Sequence, residues 1–206
     1  MPKLKLSYFD MDGGRGIVAR LAFSMGGIEF EDHRITFAQW PDAKAGLPFE
    51  AVPVLEIDGQ AVAQSNGINR YAGKLAGLYP EDPLQAAFCD EAMDAVEDAL
   101  VGLSASFRMT DDQERKAARE AYAEGPLSHY LRCLAARLQA RGGEWFADGR
   151  LTIADLKVFS WVRHIRSGTL DYIPEDIVDR LAPELVAHCD RVAAIEGVKA
   201  YYQSRQ

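Results

Sequence analysis

The stretch from Phe49 to Tyr71, FEAVPVLEIDGQAVAQSNGINRY, constrains the fold more than any other part of the chain. Val54, Leu55 and Ile57 read as a strand, and Asp58-Gly59 is the kind of pair that closes a tight hairpin. Gln60 to Ala63 is then the returning strand. Ser65 falls where a helix N-cap belongs, and Ile68, Tyr71 and Leu75 follow at helical spacing. Val52-Pro53 heads the first strand, where a proline donates no ladder hydrogen bond. A cis bond there would turn the Val52 N–H and C=O outward, toward an extended peptide. The start of the next helix, with its positive dipole end, suits a carboxylate. The residues alone favour an ordinary trans proline at a sheet edge, because only about 5% of X-Pro bonds in folded proteins are cis.

The rest of the first 80 residues fits around this hairpin. Lys3 to Phe9 alternates, with Leu4, Leu6 and Tyr8 on one face of a strand. Asp10 to Gly14 is a loop. Arg15 opens a helix with Ile17, Val18, Leu21, Ala22 and Met25 as its apolar positions, and Gly26-Gly27 ends it. Phe30 to Ile35 is a second strand. Phe37 to Leu47 is a loop with one short helical turn, carrying Trp40 and Lys44. The order is β-α-β, a connection, then β-β-α, which is the thioredoxin-like order.

Gly77 to Pro83 (GLYPEDP) breaks the pattern as a linker. Beyond it, Leu84 to Phe107 sets Phe88, Ala92, Val96, Ala99, Leu100 and Leu103 along one helical face. Asp112 to Arg141 reads as a second long helix that Gly125-Pro126 should kink or split. Thr152-Ile153-Ala154-Asp155 is a capping box, and shorter helices are expected near Ile177, Leu185 and Val198. The expected fold class is therefore α/β plus all-α. A thioredoxin-like βαβ-ββα domain spans 1–77, a linker 78–83, and an all-helical domain 84–206.

A net charge of −8 argues against a nucleic-acid partner. No apolar run approaches a membrane span, and the alternating MPKLKLSYFD start is not a signal peptide. Cys89, Cys133 and Cys189 are odd in number, far apart and without a CxxC pair. They read as reduced, half-buried helix residues of a cytoplasmic protein, which disfavours a thiol redox enzyme. His33, His129, His164 and His188 show no metal-ligand spacing, so no metal is expected.

VPVLEIDG followed by QSNGINRY, with LTIAD in the second half, resembles the cytosolic glutathione S-transferases. The match is best to the sigma class, which includes the glutathione-dependent prostaglandin D synthases. The resemblance implies a cis Val52-Pro53 bond, glutathione as co-substrate and a homodimer. It implies that the Tyr8 hydroxyl donates to the glutathione sulfur, and it matches Arg15 to an active-site arginine if the Asp12–Gly14 loop carries one extra residue. Arg15 as a merely solvated side chain is the other reading. By the same resemblance, Trp40 and Lys44 hold the glycyl end and Val52 pairs with the cysteinyl backbone. Gln64 and Ser65 hold the γ-glutamyl carboxylate. Asp98 would cross the dimer interface to the ligand's α-amino group. The electrophile is expected between the domains, against Phe9 and Phe107. One departure is Glu50-Ala51 before Val52-Pro53, where the family often carries a polar side chain two residues ahead of the proline.

Gly14-Arg15-Gly16-Ile17-Val18-Ala19 also fits the dinucleotide pattern G-x-G-x-x-A. That pattern begins at the strand end, whereas here a loop intervenes, and no further parallel strands follow. The expected activity is conjugation of glutathione to a soft electrophile. The alternatives are glutathione-dependent isomerisation, as in prostaglandin D synthase, and a non-catalytic binding protein of the same fold. In Leu103-Ser104-Ala105-Ser106-Phe107 the aromatic residue expected of the isomerase is not obvious, and Tyr8 would serve no purpose in a binding protein.

Overall fold

The computed structural model describes residues 2–205. The chain forms two compact units, Met1–Pro80 with Glu196–Gln206, and Glu81–Ile195.

In the first unit, β1 (Leu4–Phe9), α1 (Ile17–Met25) and β2 (Glu31–Ile35) make a parallel crossover. A short helix α2 (Trp40–Ala43) and two 3-10 turns lead to β3 (Val54–Ile57), β4 (Gln60–Ala63) and α3 (Ser65–Leu75). The sheet order is β2-β1-β3-β4, with β3 antiparallel to both of its neighbours. Asp58 and Gly59 both adopt positive φ, at 49° and 83°, which is the backbone that a two-residue hairpin turn requires. The expected βαβ-ββα order is present.

Leu6, Ile17, Leu21, Phe23, Leu55 and Ile68 are wholly buried and form the core of this unit. Each contributes about 1.5–3 kcal/mol of apolar burial. Two helix starts differ from the sequence reading. Gly16 caps α1, so Arg15 lies in the turn before it. Gln64 caps α3 at φ 71°, so Ser65 is the first helical residue rather than the cap. Helix ends carry little periodic signal, and the expected and observed starts differ by two residues at α1 and one at α3.

In the second unit, Asp82 caps α4 (Pro83–Ser104) by accepting from the Leu84 and Gln85 N–H groups at 3.0 and 2.9 Å. A 3-10 turn, Ala105–Arg108, continues it past Phe107. The expected split of the next helix occurs. It divides into α5 (Asp112–Tyr122) and α6 (Ser128–Ala140) across a π turn, Ala123–Leu127, that holds Gly125-Pro126. Pro126 supplies no N–H, and the Ser128 hydroxyl donates to the Ala123 carbonyl at 2.6 Å. The central helix α7 (Ile153–Ile165) is buried along most of its length, with α8 (Ile177–Leu181) and α9 (Pro183–Ala193) completing the unit.

The last helix, α10 (Glu196–Gln203), groups with the first unit and packs on α1. The sequence had placed it with the other C-terminal helices. Val198 and Tyr201 are its buried positions.

Candidate active site

Tyr8 leaves β1 at the end of the sheet where β3 begins and β4 finishes. Ser7 pairs with Val54, and Val54 with Ala63. Tyr8, Pro53 and Gln64 are the next residues along their three strands, so one sheet end gathers them. Val52-Pro53 is cis. Among the described residues, the Val52 N–H and C=O have no hydrogen-bond partner. Phe49, Glu50 and Gln64 all hold positive φ, at 56°, 47° and 71°. Such backbone costs of order 1–3 kcal/mol per residue and concentrates at functional sites.

Tyr8 is 6% exposed, and its hydroxyl oxygen accepts the Arg15 N–H at 2.9 Å. The glycines on either side of Arg15 allow this. A Cβ on Gly14 would strike the Tyr8 hydroxyl, and one on Gly16 would strike the ring. The G-x-G pair is thus the lid of a tyrosine, not a phosphate cradle. Phe9 joins Tyr8 edge-on at 5.5 Å, stacks on Phe37 at 5.0 Å and meets Trp40 edge-on at 5.1 Å. Trp40 is thereby brought against Phe9, the residue after Tyr8, while Lys44 is exposed one helical turn further on.

A charged network that the sequence reading did not find lies behind the Tyr8 loop. Arg20 is wholly buried in α1, with its guanidinium 5.7 Å from the Tyr8 ring centroid. It donates to the Met11 and Phe9 carbonyls at 2.7 and 3.3 Å and to Asp32 at 2.8 Å. Arg34 donates to Asp32 at 2.8 Å, Asp10 at 3.1 Å and Asp12 at 2.7 Å. The signal in the sequence was a cation, Arg20, set between Ala19 and Leu21 in a helix with no other charged residue.

Burial pushes the Asp12 carboxyl up, but hydrogen bonds from Arg34 and Tyr201, with the charges of Arg34 and Arg205, hold it below the usual carboxylate range. Burial and the hydrogen bond to Asp12 both push the Tyr201 phenol up, so it stays a donor at ordinary pH.

Other expected residues belong to the helical unit. Asp98 is exposed on α4. Phe107 is 59% exposed, with the Arg119 guanidinium 5.2 Å from its ring centroid. The cysteines were expected to be half-buried, yet Cys89 and Cys189 are buried and Cys133 is exposed. Helical position alone does not say which turn faces the core. Among the described residues, no group of three or more His, Cys, Asp or Glu side chains is placed to hold a metal, and no helix is long and apolar enough to cross a membrane.

The glutathione S-transferase N-terminal domain family matches residues 4–74, and the C-terminal domain family matches residues 97–205. A hematopoietic prostaglandin D synthase of Gallus gallus is 33% identical over 205 residues, covering 100% of this chain and 98% of that protein. Glutathione S-transferase 1 of Ascaris suum is 35% identical over 162 residues, covering 77% of this chain and 78% of that protein. The solved prostaglandin synthase D of Nilaparvata lugens superposes with a TM-score of 0.88 at 31% identity, covering 100% of this chain and 99% of that one. With both family domains matched in order, and relatives of this identity along its whole length, the chain belongs to the glutathione S-transferase family and is an enzyme of that family, with glutathione as its co-substrate.

Proposed function

We propose that the enzyme ionises the glutathione thiol with Tyr8 and delivers the thiolate to a soft electrophile. The observation that carries this reading is the buried Tyr8 hydroxyl, whose oxygen accepts the Arg15 N–H at the sheet end shared with Val52, Pro53 and Gln64. A phenol has a reference pKa of about 10 and is a proton donor at neutral pH. An oxygen that already accepts an N–H donates more strongly through its own O–H. A free thiol ionises near pH 8.5, and lowering this by two units takes about 2.7 kcal/mol. One or two hydrogen bonds to a charged sulfur, at about 1.5–3 kcal/mol each, supply that. The thiolate sulfur then attacks the electrophilic carbon. A sulfur–carbon bond forms, and the leaving group departs with its electron pair, or, in an addition, the neighbouring atom takes a proton.

Trp40, Lys44, Val52, Pro53, Gln64 and Ser65 are assigned to the glutathione backbone and carboxylates, and Phe9 and Phe107 to the electrophile. Arg15 contributes its N–H to Tyr8, with its guanidinium assigned to the sulfur. We place the protein in the cytoplasm as a homodimer, with Asp98 reaching the ligand's amino group across the interface. The domains are drawn at 1–77 and 84–206 around the 78–83 linker. A second reading, glutathione-dependent isomerisation, is favoured by the full-length similarity to prostaglandin D synthases. Conjugation consumes glutathione and isomerisation does not, so glutathione balance separates them.

The test is Tyr8→Phe, which keeps the ring and removes the donor. Glutathione binding should change little, and the apparent pKa of the bound thiol should rise toward about 8.5. Below that pH, kcat/KM for an activated chlorobenzene should fall roughly ten- to a hundredfold, since each unit is a factor of ten. A pH profile and rate equal to wild type would reduce Tyr8 to a packing residue.

A further inference from the structure

The loop over Tyr8 is held from the far end of the chain. Tyr201, on α10, is 4% exposed and donates its hydroxyl to Asp12 Oδ1 at 2.8 Å. Arg34 donates to the same oxygen at 2.7 Å. Arg205, one turn beyond Tyr201, reaches Asp32 at 3.5 Å and lies 5.3 Å from the Tyr201 ring centroid. Asp12 stands three residues before Arg15, whose N–H is bonded to the Tyr8 oxygen.

We infer that Tyr201 is a positioning residue for thiol activation: by gripping Asp12 together with Arg34, it fixes the Asp12–Gly16 loop so that the Arg15 N–H stays on the Tyr8 oxygen. The inference rests on the reading of Tyr8 as the thiolate donor. Its chemical basis is the length of the loop. The stretch from Asp10 to Gly16 has three glycines and no regular structure, so its backbone carries a high ordering cost. Arg20 pins the loop's start through the Met11 carbonyl, and α1 fixes its end. Asp12 is the intermediate anchor, and a part-exposed carboxylate with one arginine partner is a weak one. The buried tyrosine adds a short, directional hydrogen bond that solvent does not compete for.

The experiment uses the full chain with glutathione and an activated chlorobenzene. Tyr201→Phe, Asp12→Asn and Tyr8→Phe are compared with wild type for the pH dependence of kcat/KM, the thiolate absorbance of the bound complex and KM for glutathione. Tyr201→Phe removes one hydroxyl and keeps the packing of α10 on α1. It should raise the apparent thiol pKa by about half a unit to one unit, lower kcat/KM roughly three- to tenfold below that pKa, and restore it at higher pH. KM for glutathione should stay within about twofold, and Asp12→Asn should reproduce the shift. A Tyr201→Phe profile that superposes on wild type, or one lowered evenly at every pH, overturns the inference while Tyr8→Phe still moves the pKa. If Tyr8→Phe also moves nothing, the donor reading fails first and takes this one with it.

Discussion

Each unit of the molecule contains a carboxylate that gathers donors from several elements, and the two differ in what surrounds them. In the helical unit, Asp155 is fully buried. It accepts from the Thr152 N–H and hydroxyl at 2.7 Å each, from the Phe146 N–H at 3.0 Å, and it pairs with His188 Nε2 at 2.9 Å. No arginine or lysine is among these contacts. In the first unit, Asp12 and Asp32 are part-exposed and take arginines as their main partners. The buried node joins the start of α7 to α9 and to the Phe146 segment, and its donors are mostly neutral groups with nowhere else to go. The open node sits behind the Tyr8 loop, where charges set the geometry of a segment that has little core of its own. One is a folding anchor and the other is a frame for chemistry.

The most severe way to break this comparison is Asp155→Ala. It strands the Thr152 and Phe146 donors and His188 in the core at once. Removing one member of such a buried cluster costs about 3–5 kcal/mol. At roughly 2–4 °C per kcal/mol for a chain of this size, melting should fall by about 10 °C, measured by thermal unfolding. The protein that remains folded should keep the wild-type pH profile of the bound thiol. A shifted profile would mean that the two nodes are coupled.

The capping box that builds the buried node was legible because Thr152 and Asp155 are three residues apart and the rule is local. The hairpin at Asp58-Gly59 and the split at Gly125-Pro126 were legible for the same reason. The cis state of Val52-Pro53 was not written in the residues, which favour trans, and came from the resemblance. His188 and Phe146 reach Asp155 from 33 and 9 residues away. Tyr201 reaches Asp12 across 189 residues. Periodicity gives a helix and its buried face, but it does not name the surface that covers that face. That is why the packing of α10 on α1 was not foreseen. Tyr8, Pro53 and Gln64 could be placed together because strand order brings their ends together. Arg20 escaped notice because its helix was read for apolar positions alone.

Cysteine labelling sharpens the comparison from inside the buried node. Cys89 is wholly buried, and burial pushes its thiol up to about 12, against hydrogen bonds from Ala154 and Thr152 at the start of α7. Burial pushes Cys189 up to about 11. A thiol at 12 rather than 9 holds roughly a thousandfold less thiolate at neutral pH, and the thiolate is the nucleophile. Cys133 is exposed, with its sulfur 3.6 Å from His129 Nε2. Under native conditions iodoacetamide should modify Cys133 first, with Cys89 and Cys189 protected until the helical unit opens. In Asp155→Ala, Cys89 should become the second site labelled. Mass spectrometry of the alkylated peptides reads the order, and native labelling of Cys89 as fast as Cys133 would contradict a closed node.

The smallest expected effect belongs to the open node and concerns acid. Asp12 has a folded-state pKa below its ordinary 3.8, because Arg34 and Tyr201 bond its ionised form and outweigh burial. A group depressed in this way stabilises the fold above its unfolded pKa and loses that contribution as pH falls through the folded value. On acidification the unfolded chain takes up the proton first, so the stabilisation begins to decline near pH 4–5 and is gone below the depressed value. Because the carboxylate is part-exposed and its partners are screened by solvent, the contribution is about 1 kcal/mol or less. Urea unfolding of wild type and Asp12→Asn should therefore show a small, constant gap from pH 7 down to about pH 5 that closes below pH 4. Salt should narrow the gap, because part-exposed ion pairs are screened. A gap that widens in acid would mean that the aspartate is destabilising in the folded state, and the open node would then be a source of strain on the loop instead of its frame.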